Sequence, residues 1–160
     1  MSYARDLRDL PKPELYRELA AQLHALIEHE PDRVANLASA AALLFHSLGN
    51  LNWCGFYLLQ DNELVVGPFQ GRPACVRISL GRGVCGAAAA QRKTLRVPDV
   101  ADFPGHIACD PASRSEIVVP LLRKDSLLGV LDLDSPQLDR FDAEDARGLE
   151  AFVAILAPKI

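Results

Sequence analysis

The 160-residue sequence contains no apolar run that approaches the roughly 18 residues that a membrane-spanning helix requires. Residues 1–6 (MSYARD) also lack the apolar segment of a secretory signal peptide. From these two absences we expect a cytoplasmic protein, in a compartment where thiols stay reduced.

Concentrated positive charge is also missing. The formal net charge is −4, and no basic run is longer than the pair Arg92-Lys93 or the pair Arg123-Lys124. A nucleic-acid or anionic membrane surface needs clustered lysine and arginine, so neither partner is expected. A small polar metabolite or another protein is the better expectation.

Metal-binding spacing is absent as well. The four cysteines, Cys54, Cys75, Cys85 and Cys109, form no Cys-x-x-Cys pair, and their intervals of 21, 10 and 24 residues match no common zinc pattern. We therefore expect no metal site. In a reducing compartment, such thiols are more often buried or catalytic than part of a structural disulfide framework.

The chain has a hydrophobic fraction of 49% and no internal repeat, which together with its length predict one domain over 1–160. Apolar periodicity and capping residues predict N-terminal helices over about 13–49 and a C-terminal helix over about 143–157, begun by the caps Asp32 and Asp142. A sheet with active-site loops is predicted over about 50–134. Its predicted strands cover 51–60, 63–66, 73–80, 94–97, 116–122 and 127–133, with a short helix at 87–92.

Tight turns join neighbouring strands, as at Asp61-Asn62, so antiparallel pairing is expected to dominate. Helices stand at both ends of the order of elements. This arrangement predicts an α+β fold, an antiparallel sheet flanked by helices, with the helices packed on one face.

The glycine-rich segment 81–86 (GRGVCG) matches a dinucleotide-binding fingerprint in form. The surrounding elements do not repeat as strand-helix-strand units, so the parallel sheet that this fingerprint needs cannot be built. The glycines more simply permit a tight turn that leads into a helix.

Cys109 lies in an irregular stretch, about 98–115, that is long for a compact domain. Such loops are usually functional. The residue types leave two interpretations open: an accessible thiolate nucleophile, or a small residue packed beneath the loop. His106, three residues earlier, is a less favoured candidate for the base that would deprotonate Cys109.

Asp132 and Asp134 alternate with leucines at the end of a predicted strand, so both carboxyls project from one face. Glu116 would join them if its strand pairs with theirs. Together they form a candidate ammonium site, and neighbouring carboxyls raise one another's pKa enough to hold a proton. Trp53 and Tyr57 also share one face, as core residues or as the walls of a pocket suited to a sulfur group.

Seven segments resemble the free methionine-(R)-sulfoxide reductase family, whose members contain a GAF domain. They are 52–57 (NWCGFY), 67–71 (GPFQG), 74–78 (ACVRI), 81–86 (GRGVCG), 105–110 (GHIACD), 115–120 (SEIVVP) and 129–135 (GVLDLDS). The resemblance implies a GAF fold and thiol-dependent reduction of free methionine-(R)-sulfoxide, with no cofactor and with a thioredoxin-like reductant.

By position, the resemblance makes Cys109 the nucleophile, Cys75 the resolving cysteine and Cys85 a second resolving or relay cysteine. The substrate pocket would consist of Trp53, Tyr57, Glu116, Asp132 and Asp134. We expect Glu116 and Asp132 to bind the ammonium and Asp134 to assist at the sulfoxide. The reverse division, with Glu116 as the sulfoxide acid, is equally open.

Two expectations remain open at this level. A GAF module that binds a small ligand as a sensor, without catalysis, is the alternative function, and it would leave all of the cysteines as spectators. The apolar face of the amphipathic N-terminal helices fits a homodimer interface as well as it fits the core of a single chain.

Overall fold

The computed structural model describes residues 6–160, so the expectation about a signal peptide lies largely outside the described residues. Four α-helices are present: α1 (Lys12–Ile27), α2 (Arg33–Ser47), α3 (Gly83–Gln91) and α4 (Ala143–Leu156). Short 3-10 helices occupy Leu7–Asp9, Val100–Asp102 and Ala157–Lys159. None of the helices in this part of the chain is long and apolar enough to cross a membrane.

The predicted caps begin two of these helices. The side chain of Asp32 accepts a hydrogen bond from the backbone N–H of Ala35. Asp142 accepts from two backbone N–H groups of α4, and the side chain of Asp145 accepts from the backbone N–H of Asp142 in return. This reciprocal capping box satisfies donors that a helix start otherwise leaves unpaired.

The six strands are β1 (Trp53–Gln60), β2 (Glu63–Gly71), β3 (Arg77–Ser79), β4 (Leu95–Val97), β5 (Ser115–Arg123) and β6 (Ser126–Ser135). They form one antiparallel sheet in the order β3-β2-β1-β6-β5-β4. The predicted turn at Asp61 and Asn62 joins β1 to β2, with φ of 49° and 63° at the two residues. Left-handed conformations at both central residues match the twist of the flanking strands.

The sheet separates two apolar clusters. On one face, α1, α2 and α4 pack against alternate strand residues such as Phe56, Ile117 and Leu131. On the other face, α3 packs against the intervening residues, including Tyr57, Val118 and Val130. The antiparallel α+β fold is confirmed.

The helices from the two ends of the chain pack on one face, as predicted, whereas α3 from the middle of the chain packs on the other. Strands β3 and β4 occupy opposite edges of the sheet, so the chain between them must cross a face. The other three helices already cover one face. The buried side chains of α3 are small, as at Ala88 and Ala89, which lets the helix lie close to the sheet.

Strand boundaries also differ from the prediction at β2 and β3. Strand β2 continues to Gly71, five residues beyond the predicted end, and β3 covers only Arg77–Ser79 of the predicted 73–80. The intervening residues 72–76 leave the sheet as a connecting segment. The predicted helix at 87–92 begins earlier, at Gly83, which has the positive φ of 61° that glycine adopts without strain.

Candidate active site

Three of the predicted site residues form one row across the sheet. Asp134 on β6 lies opposite Trp53 on β1 and opposite Glu116 on β5. Two residues along β6, Asp132 lies opposite Gly55 and Val118. The hairpin of β5 and β6 therefore brings Glu116 to both aspartates, on the face that carries α3.

The aromatic wall beside this row depends on a glycine. The Trp53 ring stacks on Tyr57 and on Phe69, with centroid distances of 5.8 and 5.2 Å. A Cβ atom at Gly55 would lie 2.3 Å from the Phe69 Cβ and 2.9 Å from the Trp53 ring. Only glycine leaves enough room here for the three rings to stack against the strand.

The polar atoms of Trp53 and Tyr57 both form hydrogen bonds to the segment that carries Cys75. The Trp53 Nε1–H donates to the carbonyl of Arg72 at 3.1 Å. The Tyr57 hydroxyl donates to the carbonyl of Cys75 at 3.0 Å. These two side chains are therefore both pocket walls and anchors for residues 72–75.

A disulfide joins Cys75 to Cys109, across 34 residues of sequence. Cys109 lines the pocket formed by the aromatic wall and the carboxyl row, whereas Cys75 is not among the residues lining it. The disulfide thus joins the loop that carries Cys109 to the connecting segment, of which Arg72, Pro73 and Ala74 also line the pocket.

The loop around Cys109 is held by a small polar cluster. The side-chain amide of Asn52, the residue before β1, donates to Asp110 Oδ2 at 3.0 Å and to Ser113 Oγ at 2.9 Å. This clasp places the loop over the end of β1. Sequence reasoning did not single out Asn52 or Ser113, although Asn52 belongs to the 52–57 motif.

The carboxyls are deeply buried: Glu116 and Asp132 are each only 5% exposed. Burial and the negative charge of Asp134 raise the pKa of Glu116 to about 8. Burial and the charge of Glu116 raise the pKa of Asp132, and burial and the charge of Asp132 raise that of Asp134. At neutral pH the site therefore retains protons that exposed carboxyls would have lost.

His106 lies three residues before Cys109 in the chain, and its side chain contacts Glu116. Its Nε2 lies 3.4 Å from Glu116 Oε2, and burial lowers the pKa of the imidazole. A lowered histidine pKa and a raised glutamate pKa both favour an uncharged pair. His106 therefore lies against the Glu116 carboxyl, a contact that the sequence spacing did not predict.

Cys85 also belongs to the pocket. It lies in the first turn of α3, and its Sγ is 3.9 Å from Glu116 Oε1. Burial and the charge of Asp132 raise the pKa of this free thiol. Cys54, by contrast, points into the other face among core residues, as its position after Trp53 predicted.

Cys85, Glu116 and Asp132 place donor atoms within 4.8 Å of one another, a spacing that a metal ion could use. All three groups have raised pKa values, so a metal would have to displace their protons. One oxygen, Asp132 Oδ1, is buried with no hydrogen-bond partner among residues 6–160. An unpaired buried acceptor beside protonated acids suits a cationic hydrogen-bond donor such as an ammonium group.

The comparisons with known proteins identify the family of the chain. The GAF domain family model matches residues 32–160. Free methionine-R-sulfoxide reductase of Escherichia coli strain K12 is 52% identical over 145 residues, covering 91% of this chain and 88% of the relative. The protein of the same name from Saccharomyces cerevisiae is 41% identical, covering 92% of this chain and 87% of the relative.

A solved structure shows the same fold. The X-ray structure of free methionine-R-sulfoxide reductase from Neisseria meningitidis, in complex with its substrate, superposes with a TM-score of 0.90 and 47% identity. It covers 94% of this chain, which in turn covers 90% of it. The fold and its site define the chain as a GAF domain protein. Within that class it belongs to the free methionine-R-sulfoxide reductase family, as the seven motifs indicated.

Proposed function

We propose that this protein reduces free methionine-R-sulfoxide to free methionine, with Cys109 as the nucleophile. The observation that carries the proposal is the pocket itself, in which Cys109 shares one cavity with an aromatic wall and with buried, protonated carboxyls. The names of the relatives from Escherichia coli and Saccharomyces cerevisiae support the same substrate.

The pocket has a part for each end of the substrate. The unpaired Asp132 Oδ1 accepts from the ammonium, whose positive charge favours ionisation of the aspartate. Arg72 and Arg82 line the same pocket and supply positive charge for the carboxylate. Trp53 and Tyr57 pack on the methyl and sulfur groups. A substrate bound through both ends leaves no exit for a peptide chain, so free methionine sulfoxide is preferred over the protein-bound form.

In the first chemical step, the Cys109 thiolate attacks the sulfoxide sulfur. The sulfoxide oxygen is transferred to Cys109 with uptake of one proton, which gives a sulfenic acid and methionine. Glu116 supplies that proton, because its raised pKa keeps it protonated at neutral pH. Asp134, opposite Glu116 in the sheet register, orients the sulfoxide oxygen.

In the second step, the Cys75 thiol attacks the sulfenic sulfur of Cys109. Water leaves, and the disulfide that forms is the pair present in the structure. Cys85, whose buried thiol faces the same pocket, is a second resolving or relay cysteine. A thioredoxin-type dithiol then reduces the disulfide by thiol exchange.

Turnover of the separated epimers of free methionine sulfoxide, with dithiothreitol as reductant, tests the proposal. We expect consumption of the R epimer only. Cys109→Ser abolishes methionine formation, and Cys75→Ser releases about one methionine per active site before it slows, since the sulfenic acid has lost its main partner. Cys54→Ala is the matched control, because Cys54 lies in the opposite core.

Full turnover by the Cys109→Ser variant would show that the nucleophile is misassigned. If the wild-type protein binds methionine sulfoxide but produces no methionine, the chain acts as a ligand-binding GAF module and the proposed reaction is wrong.

A further inference from the structure

The connecting segment between β2 and β3 carries an exposed apolar side chain directly beside the redox disulfide. Val76 is 61% exposed, more than any other large hydrophobic residue in the described part of the chain. It follows Cys75 and precedes Arg77, and Pro73 is exposed two residues before Cys75. Pro73 lines the substrate pocket, whereas Val76 and Arg77 do not.

This segment is held firmly in place from its inner side. Its carbonyls accept from Trp53, from Tyr57 and, at Val76, from the backbone N–H of Val66 at 2.9 Å. These hydrogen bonds fix the backbone, while the side chains of Val76 and Arg77 remain outside. The segment also lies at β3, the edge strand of the sheet, so another chain can approach it.

We infer that Val76, with Arg77 beside it, forms the docking surface for the protein reductant, which attacks the sulfur of Cys75. This inference rests on the proposed function. The partner is a small thioredoxin-type dithiol protein with an apolar rim around its thiol that covers Val76. The Arg77 guanidinium, which already pairs with Glu63 at 3.0 Å, borders this contact. A protein partner gains from covering an exposed valine, whereas a small thiol does not.

The side of attack follows from the position of the two sulfurs. Both cysteines are half-buried, but Cys109 lines the pocket whereas Cys75 directly precedes the exposed Val76, so the thiolate of a partner docked on Val76 meets Cys75. The reductant sulfur bonds to Cys75, the Cys75–Cys109 bond breaks, and Cys109 leaves as a thiolate inside the pocket. The second thiol of the reductant then attacks the mixed disulfide, which releases Cys75 and leaves the reductant oxidised.

A matched pair of double variants tests the docking surface. Val76→Asp with Arg77→Glu alters the proposed surface, and Val34→Asp with Arg33→Glu makes the same changes on α2, where Val34 is 58% exposed on the helical face of the protein. The assay measures methionine formation with purified thioredoxin, thioredoxin reductase and NADPH, and separately with dithiothreitol.

We expect the Val76/Arg77 variant to raise the KM for thioredoxin about tenfold or more, the effect of removing an apolar contact and reversing one charge. Its dithiothreitol-driven rate and its KM for methionine sulfoxide stay at the wild-type values, and the Arg33/Val34 variant matches the wild type in both assays. An unchanged KM for thioredoxin would overturn the inference. Absence of dithiothreitol-driven turnover in the wild type would instead overturn the proposed function.

A trapping experiment tests which sulfur is attacked. Thioredoxin that has its second active-site cysteine replaced by serine cannot release the mixed disulfide. After incubation with the oxidised protein, peptide mass spectrometry should find the thioredoxin peptide on Cys75, with Cys109 free to alkylate. A mixed disulfide on Cys109 would contradict the inferred direction of attack.

Discussion

Glu116, the proposed acid, owes its raised pKa mainly to burial, and the charge of Asp134 adds to it. Because the resulting pKa is about 8, the carboxyl is protonated at neutral pH and loses its proton within the range in which the protein can be assayed. A group in the acid form must donate the proton, so the rate should fall as the pH rises through this value.

We therefore expect single-turnover methionine formation by the reduced protein, at low substrate concentration, to decline as the pH rises above about 8. Glu116→Gln should slow the reaction by roughly 10²-fold or more and remove that decline, since an amide cannot donate the proton as an acid does. Rapid-quench measurements across pH, with Glu18→Gln on the exposed side of α1 as control, check both effects. An unaltered pH profile in Glu116→Gln would assign the acid to another group.

At the scale of elements, the loop that carries Cys109 depends on the residue that precedes β1. Asn52 supplies two hydrogen bonds to this loop, through Asp110 and Ser113, and it is itself fixed by the backbone bond from its N–H to the carbonyl of Asp134 at 3.0 Å. The sheet therefore positions Cys109, the proposed nucleophile, indirectly. A loop displaced by even one ångström loses much of the benefit of a fixed geometry.

Asn52→Ala should lower kcat by about tenfold or more, with a smaller change in the KM for methionine sulfoxide, since Asn52 itself does not line the pocket. Ser113→Ala removes only one of the two bonds, but Ser113 also lines the pocket, so this variant should change the KM for methionine sulfoxide as well. Steady-state kinetics with dithiothreitol, together with thermal unfolding, separates a positioning role from a loss of stability. If kcat falls only in proportion to the fraction of unfolded protein, Asn52 has a structural role only.

The elements also show how far sequence patterns reach in this chain. The cap at Asp32 and the turn at Asp61 are local features, and both were predicted because the responsible residues are adjacent in sequence. The shared face of Asp132 and Asp134 follows from strand alternation in the same way. No local pattern distinguishes the roles of the cysteines; these roles come from the family motifs and stay predictions.

The features that sequence reasoning missed all depend on contacts between distant segments. The location of α3 on the second face follows from the order of strands in the sheet, which pairing preferences alone do not determine. The contact of His106 with Glu116, and the anchoring of residues 72–75 by Trp53 and Tyr57, require two loops to be placed over the sheet. Such contacts leave no periodic signal in the sequence.

On the scale of the whole molecule, a buried polar cluster joins the first long helix to the last. The Tyr16 hydroxyl donates to Asp145 Oδ1 at 2.7 Å, and the Lys12 ammonium donates to the other oxygen of the same carboxylate at 2.7 Å. Asp145 is only 1% exposed, and Gly148 on α4 leaves room for the Tyr16 ring. This cluster lies on the face opposite the candidate active site.

Tyr16→Phe should therefore reduce stability without affecting the reaction. It leaves one oxygen of a buried carboxylate with fewer donors, which costs about 1–3 kcal/mol. For a domain of this size the corresponding decrease in Tm is about 2–10 °C. Thermal unfolding measures the loss of stability, and the dithiothreitol assay at about 25 °C measures the reaction. Loss of kcat at a temperature where the variant is still folded would contradict this separation of the two faces.

The Tyr16 cluster affects stability alone, whereas the carboxyls of the proposed active site affect both stability and reaction. The buried acid that the proposed reaction needs reduces the stability of the fold. Glu116 has an ordinary pKa of 4.5 when unfolded and about 8 in the folded protein, so folding favours its protonated form. As the pH rises from about 4.5 to about 8, the unfolded state loses this proton before the folded state does, and the free energy of unfolding decreases. Above that range the decrease is complete.

Glu116→Gln keeps the shape of the neutral acid but cannot ionise, so the variant should be more stable than the wild type by several degrees in Tm at about pH 8 and nearly equal to it at about pH 4.5. The charge of Glu116 also raises the pKa of Asp132, so the difference between the two Tm curves reports Glu116 together with this coupled neighbour. Free methionine, whose ammonium compensates the ionised site, should narrow the gap at high pH by stabilising the wild type more than the variant. A Tm difference that does not change with pH would show that Glu116 titrates as an ordinary, exposed carboxyl.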